Sequence, residues 1–394
     1  MISNRNYNTD TARRIPVRRI SLLSPREGAS YMHHSQIVHY KGKFYVTFSL
    51  GEVNEDDCRQ KVMLSVSDDG VHFSRPEVIF SGEEAGNPEA VTAAAPIYLD
   101  EETGKLVFTF GYVEWDPDYI VNGHRKNNSD YGLCNGRGYL KTFDGASFSP
   151  AAEARVGYLE KLAEGRYISS GGGTTVWLAD NQKGENARMV SIIGLTEEEM
   201  TTGDVQLRVA ERCAELGAPY FLCETQYWYH GDGKVVLFIR PDKYNPQYAY
   251  DRFKGSAIME KAIPLSTENY YFSAVSLDYG ETWDIPRQTE FYCDISLTAT
   301  GRLPDGRFYY VGNEDGHRLY RRDPLVLSLS EDGENFTDHY IIAENGQGER
   351  FRGINKGGAF AYPHVIIVGE YMYISYTIYK EEIAIARIAL KDLK

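Results

Sequence analysis

At 394 residues, with 42% hydrophobic and 25% charged side chains, the chain can bury a sizeable core. Its formal charge of -14 argues against a nucleic-acid backbone or an anionic membrane surface as partner, although a local arginine cluster can still receive a small acidic ligand. Five cysteines, an odd count without a C-x-x-C pair, suggest neither a disulfide framework nor a cysteine zinc site. No apolar leader follows Met1 and no run reaches membrane-spanning length. The expectation is a cytoplasmic protein, or a secreted or periplasmic one if a leader has been removed.

In chain order, residues 14–23 read as a strand that closes the fold by pairing with residues 382–390 at the other end. His33 and His34 precede an alternating stretch over 35–49, and an acidic loop follows at Asn54-Glu55-Asp56-Asp57-Cys58-Arg59-Gln60. Further strands are expected over 105–112, 234–240, 270–276 and 307–312. Helical signal is confined to 151–164, 196–200 and 209–216. Gly171-Gly172-Gly173 reads as a tight turn, since no Lys-Ser/Thr follows to make a phosphate loop.

Four turns share one chemistry. They are Ser67-Asp68-Asp69-Gly70-Val71-His72-Phe73, Thr142-Phe143-Asp144-Gly145-Ala146-Ser147-Phe148, Ser276-Leu277-Asp278-Tyr279-Gly280-Glu281-Thr282-Trp283 and Ser330-Glu331-Asp332-Gly333-Glu334-Asn335-Phe336. The Asp caps its own backbone, the Gly takes positive φ, and the aromatic packs back on the hairpin. Four copies after alternating strands mean a repeated β unit, and the double-length middle gap means that one copy has lost its turn. A unit of roughly 55 to 75 residues gives about six units, which suits four-stranded propeller blades.

The S-x-D-x-G-x-T-W form at residues 276–283 resembles the Asp-box of the sialidase superfamily, and the resemblance runs from about His33 to Leu390. It implies an all-β, six-bladed propeller of sialidase type, with seven blades as the alternative, in one domain over residues 1–394. It also implies an active site on the face opposite the Asp-box turns. Three places are similar to the family's site blades: Glu224 before a Gly-turned strand ending in Arg240; Arg321-Arg322 before a strand ending in an Asp-box; and Tyr362 before a hairpin. By that resemblance Tyr362 with Glu224 forms a nucleophile pair, Asp56 or Asp57 is the acid, and Arg240 and Arg322 grip a carboxylate. The chain departs from the family where the first triad arginine is due, because His33-His34 stands there.

The His–Tyr–Arg set is instead similar to propellers that cleave uronate-containing glycans, such as ulvan lyases. There arginine neutralises the uronate carboxylate, a neutral His34 or Tyr362 takes the C5 proton, and an acid protonates the leaving oxygen. An imidazole titrates near neutrality, and a guanidinium meets a carboxylate with two parallel bonds. His33 and His364 are the accompanying substrate contacts. No cofactor is required if arginines carry the charge, although a structural or charge-neutralising cation is compatible. The expected partner is an acidic oligosaccharide or polysaccharide, not a nucleic acid or membrane. Sialidase-like hydrolysis and non-catalytic glycan binding are the competing readings.

Overall fold

The computed structural model describes residues 1–125, 134–154, 159–170, 172–218, 222–241, 270–314 and 321–394. They form six antiparallel sheets with four blade strands each, the blades of a β-propeller of sialidase type. Blade one (31–80) orders Tyr31–Tyr40, Lys43–Gly51, Lys61–Ser67 and Glu77–Phe80, and blade two (91–154) follows the same pattern. Blades three (160–191), four (222–292) and five (299–343) complete the chain-order series, with Arg13–Arg14 added at the edge of blade five. Blade six takes Phe360–Val368, Tyr371–Ile378 and Glu382–Ala389 from the C-terminus and Arg18–Leu23 from the N-terminus. Two compact units divide these blades. One holds residues 1–13 and 159–341, the other residues 14–158 and 342–394.

Arg18–Leu23 runs antiparallel to Glu382–Ala389, a shorter pairing than residues 14–23 promise, because Arg14 belongs to the blade-five edge. The first residues do something the sequence does not signal. Ile2 enters an aromatic cluster with Trp228, Phe291 and Phe336, and Ser3 exchanges backbone bonds with Glu334 and Phe336. Burying a side chain of that size contributes about 1.5–3 kcal/mol.

The four acidic turns all join the third strand of a blade to the fourth. At residues 276–283, Asp278 Oδ1 accepts from Ser276 Oγ (2.7 Å) and Thr282 N (2.9 Å), and Oδ2 accepts from Thr282 Oγ1 (2.6 Å). Blade three is the copy without the turn, and blade six needs none because its fourth strand comes from the other end of the chain.

Residues 151–164 are not helical where described. Ala152–Ala154 is the edge strand of blade two and Glu160–Ala163 opens blade three. Ladder pairing with Gly138–Leu140 outweighs the helix propensity of Ala and Glu. The two other helical stretches form Glu197–Thr201, capped by Thr196, and Val205–Leu216. Of the triple glycine, Gly171 lies outside the described residues, while Gly172 and Gly173 have φ of 85° and 57°.

Backbone and side-chain bonds from His72, with the Val71 N–H, hold the Asp69 carboxyl well below its ordinary 3.8. A depressed folded-state pKa stabilises the fold above the ordinary carboxylate range, and the contribution is lost as pH falls through it. Asp278→Ala removes three bonds from the blade-four turn. It should cost about 1–2 kcal/mol in urea unfolding at pH 7, with a smaller penalty for Asp278→Asn.

Candidate functional site

Regular strand pairing would send successive side chains to opposite faces of a blade. The first strands of blades one, two, four and six break that rule at the same place. Two residues oppose one across the ladder: His34 and Ser35 between the His33↔Ser49 and Gln36↔Thr47 pairs, and Tyr362 and Pro363 between Ala361↔Thr377 and His364↔Ser375. Blade two bulges at Ala95 and Pro96, and blade four at Cys223 and Glu224. His34 and Tyr362 carry φ of 55° and 54°, left-handed backbone that costs a non-glycine residue about 1–3 kcal/mol. The sequence places these residues ahead of their strands. The structure puts them inside Tyr31–Tyr40 and Phe360–Val368, because the bulge interrupts the alternation that marks a strand.

The two bulges bring their side chains together. His33 is fully buried, with its ring centroid 4.2 Å from that of His34 and 4.2 Å from that of Tyr362. Half-buried His34 and Tyr362 meet edge to face at 5.8 Å. His34 Nδ1 lies 3.2 Å from Ser49 Oγ, which in turn accepts the Ala94 N–H at 3.0 Å.

Glu55 closes one side. Its Oε1 is 3.9 Å from His33 Nε2 and accepts from Tyr31 Oη at 3.2 Å. Lys380 Nζ donates to both Glu55 oxygens, at 2.8 and 2.9 Å, and stands 5.8 Å from the Tyr362 ring centroid. The acidic loop is therefore not a solvated run. Asn54 Oδ1 accepts the Ile354 N–H at 2.7 Å, and Glu55 N–H donates to Ile354 O. Behind that contact, buried Glu381 accepts the Arg350 and Phe351 N–H groups and pairs with Lys356 at 3.0 Å. Burial lowers the Lys356 pKa, against the opposing pull of Glu381.

The other expected residues are placed as follows. Asp57 is buried, and its Oδ2 meets Asn54 N–H at 3.3 Å and His124 Nδ1 at 2.7 Å. His364 Nδ1 accepts the Ile37 N–H at 3.3 Å, which ties the first strand of blade six to that of blade one. Glu224 and Arg240 form an ion pair in the first unit. Arg322, also in that unit, is buried, with its N–H on Asp294 and Nη2 donating to Ile295 O at 2.6 Å. Of the eight candidates, His33, His34 and Tyr362 thus share one cluster.

Lys380 and Tyr31 join this cluster through Glu55, and sequence reading missed both. Lys380 sits in the turn Ile378-Tyr379-Lys380-Glu381, whose central residues both have φ of 53°. Such hairpin turns are normally announced by Asn-Gly, and Tyr-Lys hides this one.

Comparison with known proteins agrees with the architecture. A BNR repeat-like domain model matches residues 264–374, and a BT_1020-like N-terminal beta propeller model matches residues 12–100. No curated protein matches. Among solved structures, a sialidase superposes with a TM-score of 0.59 at 18% identity, covering 99% of this chain and 34% of that one. The chain thus spans about a third of that sialidase's length. A protein of unknown function from Dyadobacter fermentans superposes at 0.61 with 14% identity, covering 95% and 100%. Trypanosoma rangeli sialidase, in complex with the inhibitor DANA, gives 0.57 at 10%, covering 94% and 59%. At such identities the likeness is one of fold. Among the described residues, no helix is long and apolar enough to cross a membrane.

Burial pushes the His364 pKa down from 6.5 to about 4. A histidine held neutral stabilises the fold above its unfolded pKa, and that contribution falls away as pH drops from 6.5 toward 4. Urea midpoints of the wild type should fall over that interval, at up to about 1.4 kcal/mol per pH unit from this group. His364→Gln, which keeps an acceptor but cannot charge, should flatten the slope.

Proposed function

We propose that this chain, a BNR-repeat β-propeller of sialidase type, cleaves a glycosidic bond in an acidic, uronate-containing saccharide by β-elimination. His34 and Tyr362 are the acid–base pair of this reading. The observation that supports it is the meeting of two half-buried proton-transfer groups, edge to face at 5.8 Å, each raised on a strained bulge of a different blade. Strain of this kind persists where the surroundings over-determine it, and it concentrates at functional sites.

In the proposed reaction one of the pair takes the proton from C5 of the uronate. The C–H electrons form the C4–C5 double bond, the C4–O bond breaks, and the other group gives its proton to the leaving oxygen. In the tautomer in which His34 Nδ1–H donates to Ser49 Oγ, Nε2 carries the lone pair that accepts a proton. His33 is buried against both rings and positions them. Lys380 is a cation held beside Tyr362, where it favours an acidic sugar over a neutral one. These roles use residues of the second unit alone. Arg240 and Arg322 are engaged within the first, and a carboxylate-binding role for them is tested separately by Arg322→Lys.

A sialidase-like hydrolysis with Tyr362 as nucleophile is the second reading, favoured by the sialidases among the structural neighbours. One assay separates the two. Incubation with uronate-containing oligosaccharides should generate the ultraviolet absorbance of a C4–C5 unsaturated product. His34→Ala and Tyr362→Phe should each lower that rate by about 10²–10⁴-fold. New reducing ends without absorbance would overturn elimination in favour of hydrolysis, and no turnover on acidic or neutral glycans would leave a binding propeller. His34→Gly adds a control on stability. Relief of left-handed strain should hold its unfolding free energy within about 1 kcal/mol of wild type while turnover is lost.

A further inference from the structure

The second unit contains an arrangement that acid–base catalysis alone does not call for. His33 and His34 are consecutive, so a regular strand would point them to opposite faces. The bulge instead gathers both imidazoles on one side, with centroids 4.2 Å apart, and Glu55 joins them from the loop after the second strand of blade one. One donor atom from each of the three lies within 4.8 Å of the others.

We propose that His33, His34 and Glu55 bind a divalent transition-metal cation of the zinc class. Two imidazole nitrogens and one carboxylate oxygen are the donor set of an open zinc site, three protein ligands with a fourth position left for substrate or water. The set suits zinc and its late first-row neighbours better than calcium or magnesium, which prefer all-oxygen shells. Ligand atoms at about 2.0–2.2 Å from such a cation stand about 3–3.5 Å apart. The His33 Nε2 to Glu55 Oε1 separation of 3.9 Å is therefore within a small side-chain adjustment of that geometry.

The supporting contacts point the same way. Outer partners normally fix the orientation of metal-binding imidazoles and carboxylates. His34 has Ser49 Oγ at 3.2 Å on Nδ1, and Ser49 is itself anchored by the Ala94 N–H. Glu55 has Tyr31 Oη on Oε1 and Lys380 on both oxygens. The cation would take Oε1, the oxygen facing His33, while Lys380 keeps Oε2. Of the residues gathered here His33 is fully buried, whereas His34 and its neighbour Tyr362 are half-buried and leave the cluster accessible on their side.

This inference deepens the β-elimination reading and, in its role though not in its binding, rests on it. With the cation bound, the His34 Nε2 lone pair would be a ligand, and Tyr362 as tyrosinate would take the C5 proton and return it to the leaving oxygen. A cation at that place would neutralise the uronate carboxylate and acidify the C5 proton, the task that the sequence assigns to arginines.

The test uses the full chain, stripped by chelator and titrated with Co²⁺, whose visible bands report imidazole and carboxylate ligation. One equivalent per chain should bind, with Zn²⁺ abolishing the bands. His34→Gln and Glu55→Gln should lose them, and Ser49→Ala should weaken binding by about 10-fold. If Glu55→Gln fails to fold, half-buried His34→Gln still decides the matter. No bands in the wild type, or bands unchanged in His34→Gln, would overturn the proposal. The two readings fail separately. Cobalt binding without uronate elimination leaves the metal site and removes the lyase, whereas elimination at full rate after chelation, with no cobalt bands, does the reverse.

Discussion

The site depends on a seam of hydrogen bonds that joins the first strand of blade one to blade six. Met32 N–H donates to Lys380 O at 2.7 Å, and Thr377 Oγ1 donates to Met32 O at 2.6 Å, across 345 residues of sequence. His364 adds a third stitch to Ile37. Loop-closure entropy grows only logarithmically, so bringing such distant segments together costs about 5 kcal/mol, within reach of a large buried core. Arg18–Leu23, completing blade six against Glu382–Ala389, holds the C-terminal strands in place. Without this seam Tyr362 and Lys380 would have no fixed relation to His33 and Glu55.

On that seam the bulges act as a repeated device. The extra residues of three blades include His34, Glu224 and Tyr362; His34 and Tyr362 are each the first residue of the bulge, and Glu224 is the second residue of its own. Each bulge turns a polar side chain off the regular two-residue alternation. In blades one and six the backbone at that point is left-handed as well, a cost borne by a packed ladder on either side.

Buried charge is handled by pairing throughout the second unit. Glu55 has Lys380 and Tyr31, Glu381 has Lys356 and two backbone N–H groups, and Asp57 has His124 and the Asn54 N–H. Pairing of this kind seldom adds net stability, because desolvation offsets the attraction, but removing one partner leaves an uncompensated charge. The result is a site whose groups are held in place before any ligand arrives, which is the condition for electrostatic catalysis.

Four acidic turns, each written locally by Ser or Thr, Asp, Gly and an aromatic, were enough to determine a repeated β unit and, by resemblance, a six-bladed propeller of sialidase type. His33, His34 and Tyr362 were also legible, as chemically capable residues beside strands. Local chemistry carries that much because a turn is made by the residues within it. Tertiary structure decided the rest. It moved His34 and Tyr362 inside their strands, made residues 152–154 a blade edge, and sent Ile2 into an aromatic cluster. It also turned Glu55 from a member of an acidic run into the partner of Lys380 and His33. Those outcomes depend on ladder register and on contacts between segments more than 300 residues apart, which no short window of sequence contains.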